Sequence, residues 1–132
     1  MKKDNDYFIY NRSNTWNDYL KGILPKNNDE KTAILFTDVG SNLSELLGII
    51  RKRKEHFFIL DHHELNVNIE EVELPENLHL VNPTIHGFDG IDHISASTLA
   101  FMFSRKIKPS IVNQGWLTIL GTAGDSLKSK KH

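Results

Sequence analysis

Apolar side chains along this 132-residue chain fall into two alternating patterns: short continuous runs, and stripes spaced three and four residues apart. The runs are Tyr7-Phe8-Ile9-Tyr10, Ala33-Ile34-Leu35-Phe36, His56-Phe57-Phe58-Ile59-Leu60 and Leu78-His79-Leu80-Val81. Each is short, largely aromatic or aliphatic, and stops at polar residues, as a buried strand does. The first stripe places Trp16, Tyr19, Leu20 and Ile23 at helical spacing within residues 15–24, after a polar turn over residues 11–14. A second stripe, Leu43, Leu46, Leu47 and Ile50, follows Asn42, which with Glu45 three residues on reads as a helix start. A third helix is expected from Ser95 to Arg105, with Leu99, Met102 and Phe103 turned inward. A last one should begin near Asn113 and carry Trp116, Ile119 and Leu120. The clearest loop is Pro25-Lys26-Asn27-Asn28-Asp29-Glu30, which starts with a helix breaker and holds no apolar side chain.

Strands alternating with helices, each strand apolar throughout, predict an α/β fold: a mostly parallel sheet with helices on both faces. In such sheets ligands bind outside the carboxyl ends of the strands. Three polar segments occupy that position: Asn11 after the first run, Asp38 after the second, and Asp61-His62-His63 after the third.

Composition narrows the setting. Sixteen basic and seventeen acidic residues nearly cancel, so bulk charge gives no sign of a nucleic-acid partner. Arg51-Lys52-Arg53-Lys54 and the group Lys128, Lys130 and Lys131 are basic clusters, and residues 64–76 are acidic. Solvated helix ends and termini account for such clusters; a phosphate-tracking surface would need both basic groups on one face. The absence of cysteine excludes disulfides and thiolate metal sites, and a reducing, cytoplasmic compartment is expected. No apolar run is long enough to cross a bilayer, and the start of the chain is not of signal-peptide type.

The residue types at the strand ends suggest metal chemistry. Carboxylate oxygens suit Mn or Mg, and Mn also accepts imidazole. Asp38, His62 and Asp125 would form a sensible partial ligand set. Each also has a structural explanation: Asp38 as a turn cap, His62 as a hydrogen-bonded core histidine, Asp125 as part of a loose tail.

Ile59-Leu60-Asp61-His62-His63 resembles the motif that names the DHH phosphoesterases. Residues 35–41, Leu-Phe-Thr-Asp-Val-Gly-Ser, are similar to that family's second motif, whose aspartate bridges two metals. Val81-Asn82-Pro83, then Gly87-Phe88-Asp89-Gly90 and Ile94-Ser95, are similar to the stretch after the DHH motif in archaeal RecJ-like nucleases. Gly121-Thr122-Ala123-Gly124-Asp125 resembles the fourth motif. From Ala33 onward the order and approximate spacing agree. The resemblance implies a reduced DHH-type, Rossmann-like domain, with Asp38 as bridging ligand and His62 and Asp125 completing one metal site. It implies that His63 faces the scissile phosphate or supports the ligands, and that Asp61 orients its neighbours by hydrogen bonding.

The family's first motif, a pair of aspartates after the first strand, has no acidic counterpart here: the turn reads Asn11-Arg12-Ser13-Asn14. Asn11 and Asn14 therefore mark a degenerate position, Arg12 adds positive charge, and Asp4 and Asp6 precede the strand. Glycine is usual after the serine of the later helix, whereas this chain reads Ser95-Ala96-Ser97. The expectation is a single truncated domain over residues 1–132, without the family's second, substrate-binding domain, holding one Mn or Mg in an incomplete two-metal site. The function it implies is a catalytically inactive RecJ-like subunit of the DNA replication machinery, alongside GINS and MCM. An active Mn-dependent phosphoesterase or 5'-3' single-strand exonuclease is the alternative, and a purely structural metal is compatible with either.

Overall fold

A computed structural model of the chain describes residues 15–24, 26, 29–90 and 93–129. The elements in order are α1 (Trp16–Ile23), β1 (Ala33–Thr37), α2 (Leu43–Ile50), β2 (His56–Leu60), β3 (Leu78–Val81), a 3₁₀ turn Pro83–His86, α3 (Ala96–Ile107), a second 3₁₀ turn Pro109–Gln114, and α4 (Gly115–Ser129). β1, β2 and β3 form a parallel sheet in that order. This is the α/β architecture that the alternating pattern predicts. The strand expected at Tyr7–Tyr10 lies outside the described residues.

The pairing register decides which side chains share a face. Phe36 lies beside Ile59, and Phe57 beside Leu78, so these four project to one side. There they meet Trp16 and Leu20 of α1 and Leu43, Leu46, Leu47 and Ile50 of α2, forming the buried core. Trp16 stands edge-on to Phe36 with ring centroids 5.4 Å apart, a favoured aromatic geometry. On the opposite side Phe58 packs against Phe103 of α3. Helices thus cover both faces, but unequally. Leu35 and Val81, on the α3 side, are about half exposed.

Helix ends follow the sequence signals with one exception. Thr15 and Ser95 cap α1 and α3, accepting from the amides of Asp18 and Thr98. Asn42 stands at the N-cap of α2 but makes no capping bond. The Ser44 amide donates instead to Asn66 Oδ1 from the loop after β2, and the Glu45 carboxylate accepts from the Trp16 amide. Glu45 therefore joins α2 to α1 rather than closing a capping box.

The acidic stretch alternates without forming a strand. Leu65, Val67, Ile69, Val72 and Leu74 pack against the core, while Glu64, Glu70, Glu71, Glu73 and Glu76 are exposed. The basic cluster at 51–54 precedes β2 and so lies at the end of the sheet opposite the DHH turn. Arg51 donates to the Glu73 carbonyl, and Arg53 pairs with buried Glu55. The side chain of Lys128 is outside the described set, as are residues 130–132, so that cluster's face is not described.

One expectation about inward side chains needs correction, and one helix face left unassigned by spacing is now placed. On α3 the inward face is centred on Leu99 and Phe103, and Met102 is exposed one step around the helix. Trp116, Ile119 and Leu120 are all exposed on α4. Among the described residues, no helix is long and apolar enough to cross a membrane.

Candidate metal centre

The carboxyl ends of β1 and β2 deliver the site. Asp38 follows β1 directly, and its amide still donates to Leu60 O, prolonging the ladder by one bond. Its φ of 63° is the sole left-handed conformation among described non-glycine residues. Aspartate tolerates that region better than most side chains, and such strain is retained mainly where the geometry has a use. Asp61-His62-His63 follows β2 in the same way. Asp125 arrives from α4, so it sits in a helix rather than a loose tail.

Asp61 organises the turn. Its side chain is 1% exposed. Oδ2 accepts from the Ser41 amide at 2.8 Å, and Oδ1 takes the His62 amide at 2.9 Å, the His63 amide at 3.3 Å and His63 Nδ1 at 2.7 Å. Burial alone would raise its pKa, but hydrogen bonds from His63 and Ser41, with the charge of His63, bring it below the ordinary carboxylate value. Asp61 is thereby kept ionised, and its oxygens are already engaged.

His62 is held by its other nitrogen. Nδ1 lies 2.6 Å from the Gly90 carbonyl, which can only accept, so Nδ1 carries hydrogen. Nε2 is then turned toward Asp38 Oδ1 at 3.2 Å and Asp125 Oδ2 at 3.6 Å. A carbonyl behind one nitrogen and carboxylates in front of the other is the usual environment of a metal-bound imidazole. Without a cation, the proton takes that place. Burial disfavours the imidazolium, yet the Gly90 carbonyl and the carboxylates of Asp125, Asp38 and Asp61 outweigh it and raise the pKa above the ordinary value.

Close approach makes this possible. A Cβ on Gly90 would lie 1.6 Å from the His62 carbonyl oxygen, so only glycine fits. Gly90→Ala is expected to displace the loop, cost about 2–3 kcal/mol, and weaken divalent-ion binding by at least about tenfold. Urea unfolding and a metal titration measure the two effects separately.

Behind the turn, Asn82 and Ser41 brace the backbone. Asn82 Nδ2 donates to Ser41 Oγ at 3.1 Å and to the His63 carbonyl at 2.9 Å, and Ser41 Oγ donates to the same carbonyl at 3.1 Å. Both residues stand in the quoted motifs, but their supporting role was not apparent from sequence. The signal available was a polar residue at the end of an apolar strand, which marks a crevice position without naming its partners.

Asp38, Asp61, His62 and His63 each place a ligand atom within 4.8 Å of the others, a grouping that could hold a metal ion. Asp125 is not among those four, yet it faces His62 directly. Both Asp61 oxygens already accept hydrogen bonds, Oδ1 three of them, whereas Asp38 and Asp125 each face His62 Nε2 with a carboxylate oxygen. His63 keeps Nε2 clear of its bond to Asp61, and its side chain is 43% exposed. Beyond Asp38 and Asp125 opens a crevice of about 370 Å³, backed by Ala96, Ser97, Gly121 and Gly124. Of the expected site residues, the structure brings together Asp38, Asp61, His62, His63 and Asp125. Asn11 and Asn14 lie outside the described residues, with Arg12, Asp4 and Asp6.

Protonation gives a pH dependence for the metal-free protein. The raised His62 pKa contributes stability that is fully present below its ordinary value of 6.5 and lost as pH rises through the folded-state pKa. The lowered Asp61 pKa contributes stability present above its ordinary value of 3.8 and lost as pH falls through the folded-state pKa. Urea unfolding in EDTA should therefore show the Asp61 contribution fading on the acid side and the His62 contribution fading on the alkaline side. His62→Ala should flatten the alkaline slope. A divalent ion competes with the His62 proton, so its affinity should increase from pH 6 to 8.

No family model matches the chain. It is 30% identical over 106 residues to an uncharacterized protein of Methanocaldococcus jannaschii. The match covers 80% of this chain and 23% of that protein, so the chain spans roughly a quarter of its relative's length.

Proposed function

We propose that the chain is a DHH-type, RecJ-like domain that holds one divalent cation between Asp38, His62 and Asp125 and serves as a binding subunit. The observation that carries the metal reading is His62, with Nδ1 held by the Gly90 carbonyl and Nε2 directed at two carboxylates from separate elements. An imidazole among carboxylates favours Mn²⁺ over Mg²⁺. When bound, the cation would neutralise the facing carboxylates and offer Lewis acidity toward an anionic ligand. Asp61 orients His63 and the turn, and Asn82 fixes the backbone behind them.

A two-metal catalyst needs further carboxylates, and the turn at residues 11–14 contains none. Its DHH resemblance and missing acidic pair support a binding role in a replicative helicase assembly, with GINS- and MCM-like partners. A second reading, an Mn-dependent phosphoesterase acting on single-stranded nucleic acid or a small nucleotide, is favoured by one feature. The His63 side chain is 43% exposed beside Asp38 and Asp61, where a phosphate could be met.

One assay separates the readings. Purified protein with Mn²⁺ is incubated with single-stranded DNA and with a chromogenic phosphodiester. No hydrolysis above that of Asp38→Ala is expected, together with retention of GINS- and MCM-like proteins in a pull-down. Turnover that disappears in both Asp38→Ala and His62→Ala would establish the phosphoesterase instead.

A further inference from the structure

Helix α4 is amphipathic in the reverse sense for a helix packed on its own domain. The face toward α3 and the metal centre carries Thr118, Gly121, Thr122 and Asp125, at the i, i+3, i+4, i+7 spacing of one helical stripe. Thr122 Oγ1 lies 2.7 Å from Ser95 Oγ and 3.2 Å from Thr98 Oγ1. A Cβ on Gly121 would lie 2.5 Å from Ser97 Cβ, so the two helices meet at their smallest residues. The large apolar side chains point the other way. Trp116, Leu117, Ile119 and Leu120 are 57%, 50%, 71% and 61% exposed, and Ala123 is exposed at the end of the same stripe.

We propose that this outward face of α4 is a two-fold dimer interface, in which it packs antiparallel against α4 of a second copy. Three features single out a second copy. No charged side chain or histidine occurs from Pro109 through Gly124, so self-pairing brings no like charges together, whereas a charged partner would be desolvated without compensation. The stripe is also self-complementary in size. With the axis between Ile119 and Leu120, Trp116 of each copy falls opposite Ala123 of the other, and Ile119 falls opposite Leu120. Trp116, Ile119 and Leu120, with Leu117 at the edge of the stripe, expose on the order of 500 Å² per copy, so pairing would remove at most about 1,000 Å², the lower limit for a specific interface. An apolar patch of this size lies at the upper end of what folded proteins expose, and such patches often serve in binding. Cyclic two-fold pairing is the commonest closed assembly. The interface stands on the far side of α4 from Asp125, so it does not depend on metal binding.

Sedimentation equilibrium on the whole chain should show a reversible monomer–dimer system. Ile119→Glu should weaken it at least about 100-fold while leaving the far-UV circular dichroism spectrum unchanged, and leaving Tm unchanged at concentrations where both proteins are monomeric. Because the native chain has no cysteine, Ile119→Cys provides a second readout that does not rely on a disruptive substitution. On oxidation it should give a covalent dimer, while Glu70→Cys on the exposed acidic loop forms no covalent dimer under the same conditions. The proposal is overturned by a wild-type chain that remains monomeric up to about 1 mM, by a dimer that survives Ile119→Glu, or by open-ended oligomers.

Discussion

Asp61→Ala is expected to destabilise the domain by about 3 kcal/mol or more, the largest loss expected from any single substitution at the site. Its carboxylate accepts from three backbone amides and one imidazole, and the residue is almost wholly buried. Alanine leaves those donors without an acceptor in a space too tight for easy hydration. Asp61→Asn makes the argument specific, because it keeps the shape and one acceptor oxygen. If that oxygen serves His62 and His63, the amide NH₂ meets the Ser41 amide donor to donor. Asn should therefore lie between wild type and Ala, losing about 1–2 kcal/mol. Equal stability of the Asn variant and wild type in urea unfolding would show that Asp61 does not brace the turn as its hydrogen bonds indicate.

The second large effect concerns metal-dependent stability. With Mn²⁺ at about 100 times its Kd, binding to the folded state alone should add about 2.7 kcal/mol, or roughly 10 °C in Tm for a chain of this size. His62→Ala removes the nitrogen ligand and should reduce affinity on the order of 100-fold, leaving a gain of only about 0.4 kcal/mol at the same Mn²⁺ concentration. Reading the difference between Mn²⁺ and EDTA cancels any effect of the substitution on the metal-free fold. His62→Ala with an undiminished Mn²⁺ effect would place the ion elsewhere.

Much of the site was legible because its signals are local. β1, β2 and β3 are continuous apolar runs, and the residues that stop them, Asp38 and Asp61, stand where a parallel sheet exposes its ligand crevice. Leu43, Leu46, Leu47 and Ile50 needed only helical spacing to be placed in the core, and all four are buried. Less legible were features that depend on how distant segments meet. Nothing near Gly90 in the sequence indicates that its carbonyl would hold His62, since a backbone acceptor has no side-chain signature. Asn82 had the motif but not the partner.

α4 shows the limit of periodicity most clearly. Spacing assigns Trp116, Ile119 and Leu120 to one stripe, but it cannot say whether that stripe faces inward or away. The answer lay with Gly121 and Thr122, whose small and hydroxylated side chains let α3 approach from the other side. Residues 65–74 pose a similar problem. Their alternation resembles a strand, yet they serve as a loop that covers the core with every inward side chain. Asn42 shows the same limit at a helix end, because Asn66, 24 residues later, supplies the bond to Ser44 that a local cap would have made.

The central claim is that one divalent ion is held by Asp38, His62 and Asp125. It is tested most directly by titrating Mn²⁺ into the purified chain and recording electron spin-echo modulation from bound nitrogen. One Mn²⁺ per chain is expected, with coupling to a single imidazole nitrogen that disappears in His62→Ala, and with binding strongly weakened in Asp125→Ala. Coupling that persists in His62→Ala, or bound Mn²⁺ without any nitrogen coupling, would contradict it.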